Sequence, residues 1–346
     1  KTAYEIASCL VGSEMCIRDR FNFVMHIFFR NFVSTFLFLI VYFLSTELMA
    51  APKYASFSLD AATGEILHNN QGFQSRYPAS LTKVMTLYLI FEDISNGKIQ
   101  KSDLVTFSRN ASSKPASKLG LAPGEKITFS NAIKALAIKS ANDVATAVAE
   151  HISGSEESFA LRMTNKAREL GMYQTSFKNA SGLHNNYQKT TAFDMAILGL
   201  RMLKDFPAEA SVFSQKDFIY EGKTYRSHNK LLFSYQGTKG MKTGFTNMSG
   251  FNLLSYVTRD NKKIISVVMG GSSSNSRNSN MVKVLNKSIK LAKYEIPFPI
   301  LNPFLEGEAV YEEHHLSMPE DRKQSRFETL STVSYTHLTL PTKRIV

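Results

Sequence analysis

Tyr77–Glu92 reads Y-P-A-S-L-T-K-V-M-T-L-Y-L-I-F-E, and the rest of the chain is best explained as being arranged around this stretch. Pro78 is poorly placed inside a helix but is tolerated at its start, and Ser80 is a favourable residue ahead of an apolar run. We therefore expect a helix that begins at about Ser80. Its residues after the first turn are almost all apolar, which predicts a helix buried inside a lobe.

The first turn of this helix carries Ser80 and Lys83, which share one face because they are three residues apart. A serine hydroxyl is a weak nucleophile until a neighbouring base removes its proton. A lysine can be that base only if burial or a second cation lowers its pKa. Ser-x-x-Lys also occurs by chance, with the serine as a helix cap and the lysine in solvent, and the motif alone favours that interpretation.

A second motif lies at residues 139–143, which read K-S-A-N-D between two predicted helices. A short loop there can direct Ser140 and Asn142 into a cleft, although either residue could equally be the cap of the next helix. A third motif, K-T-G at residues 242–244, lies in a predicted strand, where glycine allows a ligand to approach the backbone closely. Alone, Lys242 would be explained as a solubilising charge on an edge strand.

The three motifs together, in this order, are far more specific than any one of them. They are Ser80-x-x-Lys83, Ser140-x-Asn142 and Lys242-Thr243-Gly244. Over about residues 51–296 the chain resembles the low-molecular-weight penicillin-binding proteins of the D-alanyl-D-alanine carboxypeptidase type, which are serine peptidases of the β-lactamase/transpeptidase-like superfamily. Three further stretches carry the same resemblance: N-A-S-G-L at 179–183, T-A-x-D at 191–194 and G-M-K-T-G-F-T at 240–246.

This resemblance implies an α/β (α+β) fold, in which a mainly antiparallel sheet is flanked by helices and an all-helical lobe is inserted. We assign residues 51–79 and 219–296 to the α/β lobe and residues 80–218 to the helical lobe, with the site in the cleft. Residues 272–280, S-S-S-N-S-R-N-S-N, are predicted to form a polar loop. The final amphipathic helix, residues 281–294, covers the sheet or lies on a membrane surface.

A serine acyl-transfer mechanism is implied as well, in which Ser80 attacks the carbonyl between two D-alanines and water hydrolyses the acyl-enzyme. Lys83 would remove the Ser80 proton. Ser140 would relay a proton to the leaving amine, and Asn142 would hold the substrate amide or Lys83. The expected partners are peptidoglycan stem peptides ending in D-Ala-D-Ala and β-lactam antibiotics, with an inner-membrane surface as a further candidate. No metal or organic cofactor is implied.

On the strand, the resemblance assigns the terminal carboxylate of the substrate to Lys242 and Thr243. Lys242 also adds positive potential, which favours a neutral Lys83. The oxyanion hole of this family uses the backbone N–H groups of Ser80 and of the residue after Gly244.

Two departures from the family pattern concern substrate binding. The residue after the K-T-G motif is Phe245, where some relatives carry histidine. Near the substrate carboxylate some relatives use an arginine, whereas this chain reads S-H-N-K-L-L at residues 227–232. His228 is therefore a candidate substrate contact, and a histidine packed in the fold is the alternative.

Other functions remain to be weighed against this one. A class A β-lactamase needs a carboxylate to activate the deacylating water, and no E-x-x-L-N stretch lies between Asn142 and Lys242. A D,D-endopeptidase would use the same residues and stays open. A non-catalytic penicillin-sensing or peptidoglycan-binding module would not need Lys83 beside Ser80. The formal charge of +12 would also suit a nucleic-acid binder, but no nucleic-acid motif is present.

The two ends of the chain do not resemble natural protein sequence. Residues 1–20 and 333–346 contain stretches that resemble translated sequencing adaptors, and we set them aside as artefact. Both cysteines, Cys9 and Cys16, fall there, so no disulfide or cysteine metal site remains.

Residues 25–50 combine a positive start, an apolar run and small residues, as in a signal peptide, which predicts a periplasmic protein. An uncleaved anchor is the alternative. Residues 297–332 are expected to be a linker or a truncated module.

Overall fold

The computed structural model describes residues 31–36 and 53–292. Residues 31–36 form a short helical stretch in a unit separate from the main one. The expected adaptor-derived ends, most of the expected signal peptide and the 297–332 segment lie outside the described residues. In the described part of the chain, no helix is long and apolar enough to cross a membrane.

Within residues 53–292, strands form one large sheet and two small hairpins. The large sheet contains β1 (Ala55–Asp60), β2 (Ile66–Asn70), β7 (Thr238–Thr246), β8 (Gly250–Arg259) and β9 (Lys262–Gly271). The hairpins pair β3 (Leu104–Thr106) with β4 (Lys126–Thr128), and β5 (Asp217–Tyr220) with β6 (Lys223–Arg226). The large sheet has the order β2-β1-β9-β8-β7 and is antiparallel throughout, which confirms the predicted sheet.

The helices of this unit fall mainly between β2 and β5. They are α1 (Thr82–Ser95), α2 (Arg109–Ser113), α3 (Phe129–Lys134), α4 (Asn142–Ser153), α5 (Glu156–Glu169), α6 (Ala192–Asp205), α7 (Leu231–Ser234) and α8 (Ser274–Leu291). The predicted buried helix after Ser80 is α1, and its residues are buried on all sides over most of its length. Short 3₁₀ turns at Ala79–Leu81 and Glu209–Ser214 and a π-helical turn at Ala135–Lys139 complete the list.

Both faces of the sheet are covered by helices. Alternate residues of β9 show this: Ile264 and Val268 belong to the apolar cluster under α8, whereas Ile265 and Val267 belong to the main core, which includes α6. Helix α6 contacts β1, β8 and β9. The predicted helical lobe, residues 80–218, therefore differs from the structure at this helix, which packs on the sheet. Local sequence gave no sign of this because α6 is apolar on most of its circumference.

The prediction of a polar loop at residues 272–280 is wrong. Helix α8 begins at Ser274, seven residues before its apolar part starts at Met281. Ser273 is the N-cap, and its side chain accepts a hydrogen bond from the backbone N–H of Ser276. The first turns of α8 are polar, and serine and asparagine there conceal the helical periodicity. Arg277 is consequently a helical residue, and its side chain is buried rather than solvated.

The backbone that leads into α1 is held by Asn252 on β8. The Asn252 side chain is fully buried, donates to the carbonyls of Tyr77 and Pro78 and accepts from the N–H of Gly270. Ala79 adopts a left-handed conformation with φ of 49°, which is uncommon for a residue with a side chain. These bonds fix the turn that carries Ser80 against the sheet.

Candidate active site

Ser80 lies in the 3₁₀ turn directly before α1, and Lys83 lies in the first turn of that helix. No side-chain hydrogen bond caps either helix, so Ser80 is not an ordinary cap. The Lys83 side chain is fully buried. Its Nζ lies 3.2 Å from Ser80 Oγ, 2.7 Å from Asn142 Oδ1 and 2.5 Å from the carbonyl oxygen of Ser181. The interpretation of this lysine as a solvated side chain is therefore wrong.

The surroundings of Lys83 favour its neutral form. Burial lowers the pKa of Lys83 well below its ordinary value, and the positive charge of Lys242 lowers it further. The carboxylates of Asp143 and Glu156 act in the opposite direction. Glu156 is itself paired with Lys114, with 3.0 Å between Nζ and Oε2. Desolvation and a second cation can each lower the pKa of a lysine enough for it to be a base, and both are present here.

Ser140 and Asn142 lie where the π-helical turn Ala135–Lys139 meets α4. Ser140 has a left-handed backbone with φ of 63°, which ends the turn. No side chain caps α4, so neither residue is explained as a cap. Ser140 Oγ instead accepts a hydrogen bond from Lys242 Nζ at 2.9 Å. Asn142 Oδ1 accepts from Lys83, and its Nδ2 donates to the carbonyl of Pro115 at 2.9 Å.

Lys242 lies on the edge strand β7, but its side chain is only 2% exposed. It is therefore not a solubilising charge. Besides Ser140, its Nζ donates to the carbonyl of Thr243 at 2.9 Å. Burial, followed by the positive charge of Arg277, lowers the pKa of Lys242 to about 7. A bound anion at this position would oppose that shift, because it favours the charged form of the lysine.

Gly244 and Gly182 allow the backbone around Ser80 to close tightly. A Cβ atom on Gly244 would lie 3.0 Å from the backbone nitrogen of Ser80 and 3.2 Å from that of Leu81. A Cβ atom on Gly182, where φ is +84°, would lie 1.9 Å from the carbonyl oxygen of Ala79. Side chains at either position would separate the Ser80 turn from its neighbours. The strand β7 and the Ser80 backbone are in contact because residue 244 is glycine.

A cavity of about 320 Å³ lies between these groups. Its lining includes Ser80, Ser140, Asn142, His228, Thr243, Gly244, Phe245 and Arg277. Lys83 and Lys242 are buried beside it. The Phe245 ring packs on Phe251, with ring centroids 4.3 Å apart, and makes one wall aromatic. In the described part of the chain, no group of three or more His, Cys, Asp or Glu residues could hold a metal ion.

His228 lines this cavity, and the residue as a whole is exposed. The interpretation of His228 as a histidine packed in the fold is therefore wrong. Desolvation within the cleft, followed by the positive charge of Lys242, lowers the pKa of His228 to about 4. The imidazole is consequently neutral at pH 7 and offers a hydrogen bond rather than a charge.

Arg277 is the cleft residue that sequence reasoning missed. Its guanidinium donates to Asn252 O, Ser274 Oγ and Asn278 Oδ1, all of which are uncharged. Among residues 53–292 it forms no ion pair, although its side chain is nearly fully buried. Burial lowers its pKa to about 10, so the guanidinium stays charged at neutral pH. In the sequence, the feature that could have pointed to Arg277 is a single arginine within a run of serine and asparagine.

Comparisons with known proteins identify the family of this chain. The family model Peptidase S11, described as D-alanyl-D-alanine carboxypeptidase, matches residues 49–273. The D-alanyl-D-alanine carboxypeptidase DacF of Bacillus subtilis (strain 168) is 36% identical over 245 residues, which are 70% of this chain and 63% of DacF. The chain thus spans less than two thirds of that relative's length.

Two solved structures resemble about two thirds of the chain. Penicillin-binding protein 5 from Haemophilus influenzae is 33% identical with a TM-score of 0.65, covering 67% of this chain and 69% of its own. Penicillin-binding protein D2 from Listeria monocytogenes, solved in its ampicillin-bound form, is 26% identical with a TM-score of 0.63. That match covers 68% of this chain and 96% of the Listeria protein. The predicted fold class is confirmed by these neighbours.

Proposed function

Because the chain belongs to the Peptidase S11 family of D-alanyl-D-alanine carboxypeptidases, we propose that it removes the terminal D-alanine from peptidoglycan stem peptides through an acyl-enzyme on Ser80. The observation that carries this proposal is the fully buried Lys83, whose amine contacts Ser80 Oγ while Lys242 depresses its pKa. A neutral amine has two N–H donors and one lone pair. Asn142 Oδ1 and Ser181 O take the two donors, which leaves the lone pair for the proton of Ser80.

In the acylation step, Ser80 Oγ attacks the carbonyl carbon between the last two D-alanines, and its proton passes to Lys83. The developing oxyanion is stabilised by the backbone N–H groups of Ser80 and Phe245, each worth about 3 kcal/mol in comparable enzymes. The amide C–N bond then breaks. The Ser140 hydroxyl donates its proton to the departing amine and takes up the proton that Lys83 received from Ser80, so that D-alanine leaves with a neutral amine and Lys83 is neutral again.

In the second step, water adds to the acyl carbon, and the bond to Ser80 Oγ breaks. The water supplies the hydroxyl of the shortened peptide's carboxylic acid, and its other proton returns to Ser80. Lys83, neutral again after the first step, removes a proton from the water. Asn142 orients Lys83 throughout, because its Oδ1 accepts one of the two amine protons.

The substrate carboxylate is assigned to Thr243, Lys242 and Arg277. Thr243 lines the cavity, and the two cations lie beside it without any acidic partner in the described residues. A buried cation that lacks an anionic partner is costly, and a carboxylate ligand removes that cost. Arg277 is thus assigned the carboxylate contact for which His228 was the candidate from the sequence. The neutral His228 ring is a second hydrogen-bonding contact.

Penicillins are proposed to acylate the same serine, as the ampicillin-bound Listeria relative suggests for the family. Among residues 53–292, no Asp or Glu side chain lines the cavity, so none of them is placed to activate a deacylating water as in a class A β-lactamase. We therefore expect a long-lived penicilloyl adduct. The proposal includes a periplasmic location, which the peptidoglycan substrate and the signal-like sequence of residues 25–50 support.

The proposal is tested by intact-mass analysis of the protein after addition of a penicillin, beside a Ser80→Ala control. A single persistent adduct is expected on the parent protein, with none on the control. Release of D-alanine from a peptide ending in D-Ala-D-Ala is then measured with the same two proteins. Rapid consumption of the drug without an adduct would identify a β-lactamase. A folded protein that neither reacts with the drug nor releases D-alanine would be a binding module.

Replacement of Arg277 by leucine is expected to lower kcat/KM for the D-Ala-D-Ala peptide about 100-fold, because one charge-assisted bond to the carboxylate is worth roughly 1.5–3 kcal/mol. The loss should fall mainly on KM. Arg277→Lys keeps the charge and should recover part of the loss. A Leu variant with unchanged kcat/KM would remove Arg277 from the carboxylate site.

A further inference from the structure

The amine of Lys83 is held by two acceptors that lie on different segments of the chain. One is Asn142 Oδ1, at the start of α4, and the other is the carbonyl oxygen of Ser181, in the segment between α5 and α6. These two acceptors decide which way the remaining lone pair of the neutral amine points. The direction of that lone pair toward Ser80 therefore depends on the contacts that fix the two segments.

The segment that supplies the Ser181 carbonyl is fixed by Glu156, the first residue of α5, which is buried. Glu156 Oε1 accepts a hydrogen bond from the backbone N–H of Ala180 at 3.1 Å and a second one from Thr146 Oγ1 at 3.1 Å. The carbonyl of Ala180 in turn accepts from Thr86 Oγ1 at 2.7 Å. Both backbone groups of Ala180 are thus held, directly before the carbonyl that accepts from the amine.

The segment that holds Asn142 is fixed by Lys114, the ion-pair partner of Glu156. The distance between Lys114 Nζ and Glu156 Oε2 is 3.0 Å. Lys114 directly precedes Pro115, whose carbonyl accepts from Asn142 Nδ2 at 2.9 Å. The backbone N–H of Asn142 also donates to the carbonyl of Ser117 at 2.7 Å. One ion pair therefore joins the two segments that hold the acceptors of the amine.

The ion pair lies behind the site, because neither Lys114 nor Glu156 lines the cavity. A buried carboxylate is costly unless it is paired and hydrogen-bonded, and Glu156 has a cation, a backbone N–H and a hydroxyl as partners. Its charge also works against the neutral form of the base, since it raises the pKa of Lys83. A carboxylate in this place is explained by the two segments that it fixes.

We propose that the Lys114–Glu156 ion pair is a positioning pair for the base: it fixes the two acceptors of the Lys83 amine and thereby directs the lone pair of that amine at Ser80. This inference rests on the proposed function, in which Lys83 is the base. Because the pair does not reach the cavity, it acts on the rate of the chemical step and not on the binding of the ligand.

The charge of Glu156 gives the pair a second, measurable effect. The charged groups that act on Lys83 are Lys242 on β7, which lowers its pKa, and Asp143 on α4 and Glu156 on α5, which raise it. Loss of the Glu156 charge should therefore lower the pKa of Lys83. The amine would then be neutral at lower pH, so the rising limb of the acylation rate should move to lower pH.

The test measures the rate constant for acylation by a penicillin, and the affinity of the initial complex, as a function of pH. Glu156→Gln removes the charge but keeps an oxygen for the Ala180 N–H. Its rising limb should move to lower pH by about half a pH unit or more, with most of the plateau rate retained. Glu156→Ala removes the oxygen as well, and its plateau rate constant should fall about tenfold at unchanged affinity. Lys114→Met keeps the carboxylate and should lower the plateau rate without moving the limb to lower pH.

The matched control is Glu157, the next residue of α5, which is exposed and forms no ion pair among residues 53–292. Glu157→Gln and Glu157→Ala remove the same charge from the same helical turn and should keep the parental rate and the parental limb. An unmoved limb in Glu156→Gln, an equal movement in Glu157→Gln or a parental plateau rate in Glu156→Ala would overturn the proposal.

The fraction of protein that forms the adduct distinguishes a misplaced base from a misfolded protein. A positioning role lowers the rate constant while the whole sample still reacts. If the variants lose only reactive fraction and the remainder reacts at the parental rate, the ion pair has a structural role alone and the inference is wrong. The proposed function fails in a different way, because the parental protein itself would then form no adduct.

Discussion

Lys83→Met is expected to lower the rate of Ser80 acylation by about 10³-fold, within the range measured for loss of a general base. Methionine has a similar length and needs no proton, so it fills the buried site without a charge. The rate of adduct formation with a penicillin, followed by intact mass, measures the effect. Lys98→Met, at an exposed lysine that follows α1, is the matched control and should react at the parental rate.

A second substitution at the same position distinguishes a role of Lys83 as a base from a role as a structural cation. Lys83→Arg keeps the positive charge and the donors to Asn142 and Ser181, but a guanidinium does not lose its proton in proteins. We therefore expect Lys83→Arg to be about as slow as Lys83→Met. An arginine variant that acylates at a near-parental rate would contradict the role of Lys83 as the base.

The pH dependence of the parental enzyme follows from two lysines with lowered pKa values. The proposed mechanism requires neutral Lys83, so kcat/KM should rise with pH through a pKa well below that of a solvated lysine. Carboxylate binding requires charged Lys242, whose pKa is about 7, so kcat/KM should fall as pH rises above that value. The bound carboxylate favours the charged form, which should move the falling limb of kcat to higher pH than that of kcat/KM.

The three motifs that meet at the cleft could be recognised in the sequence because each is a short, local stretch of fixed spacing. Ser80 and Lys83 are only three residues apart, and the 242–244 stretch lies within a single strand. The sequence alone does not show which residue each motif contacts across the cleft. The bond from Lys242 to Ser140 joins residues that are 102 positions apart, and no periodicity reports it.

The role of Arg277 and the packing of helix α6 on the sheet were not predicted, for two different physical reasons. Arg277 lies in the polar first turns of α8, where serine and asparagine give no apolar stripe to indicate a helix. Helix α6 is buried between the sheet and other helices, so its local pattern resembles that of a helix inside an all-helical lobe. In both cases tertiary contacts decide the position, and a local pattern does not determine it.

Gly244→Ala is expected to lower the acylation rate about 100-fold, comparable to the loss of one oxyanion donor. The added Cβ would lie 3.0 Å from Ser80 N and 3.2 Å from Leu81 N, and backbone atoms cannot move aside as a flexible side chain can. Strand β7 must therefore shift away from the Ser80 turn. That shift separates the Ser80 N–H from the N–H of Phe245, the two donors assigned to the oxyanion.

This loss should appear in the rate constant for acylation and much less in the affinity of the initial complex, because the oxyanion exists only in the transition state. Gly97→Ala is the contrasting control. Gly97 lies beyond the far end of α1 with φ of +69° and open space around it, so alanine there should lower the free energy of unfolding by about 1 kcal/mol without slowing acylation. If Gly244→Ala is acylated at the parental rate, the close approach of β7 to Ser80 is a packing feature and the oxyanion hole lies elsewhere.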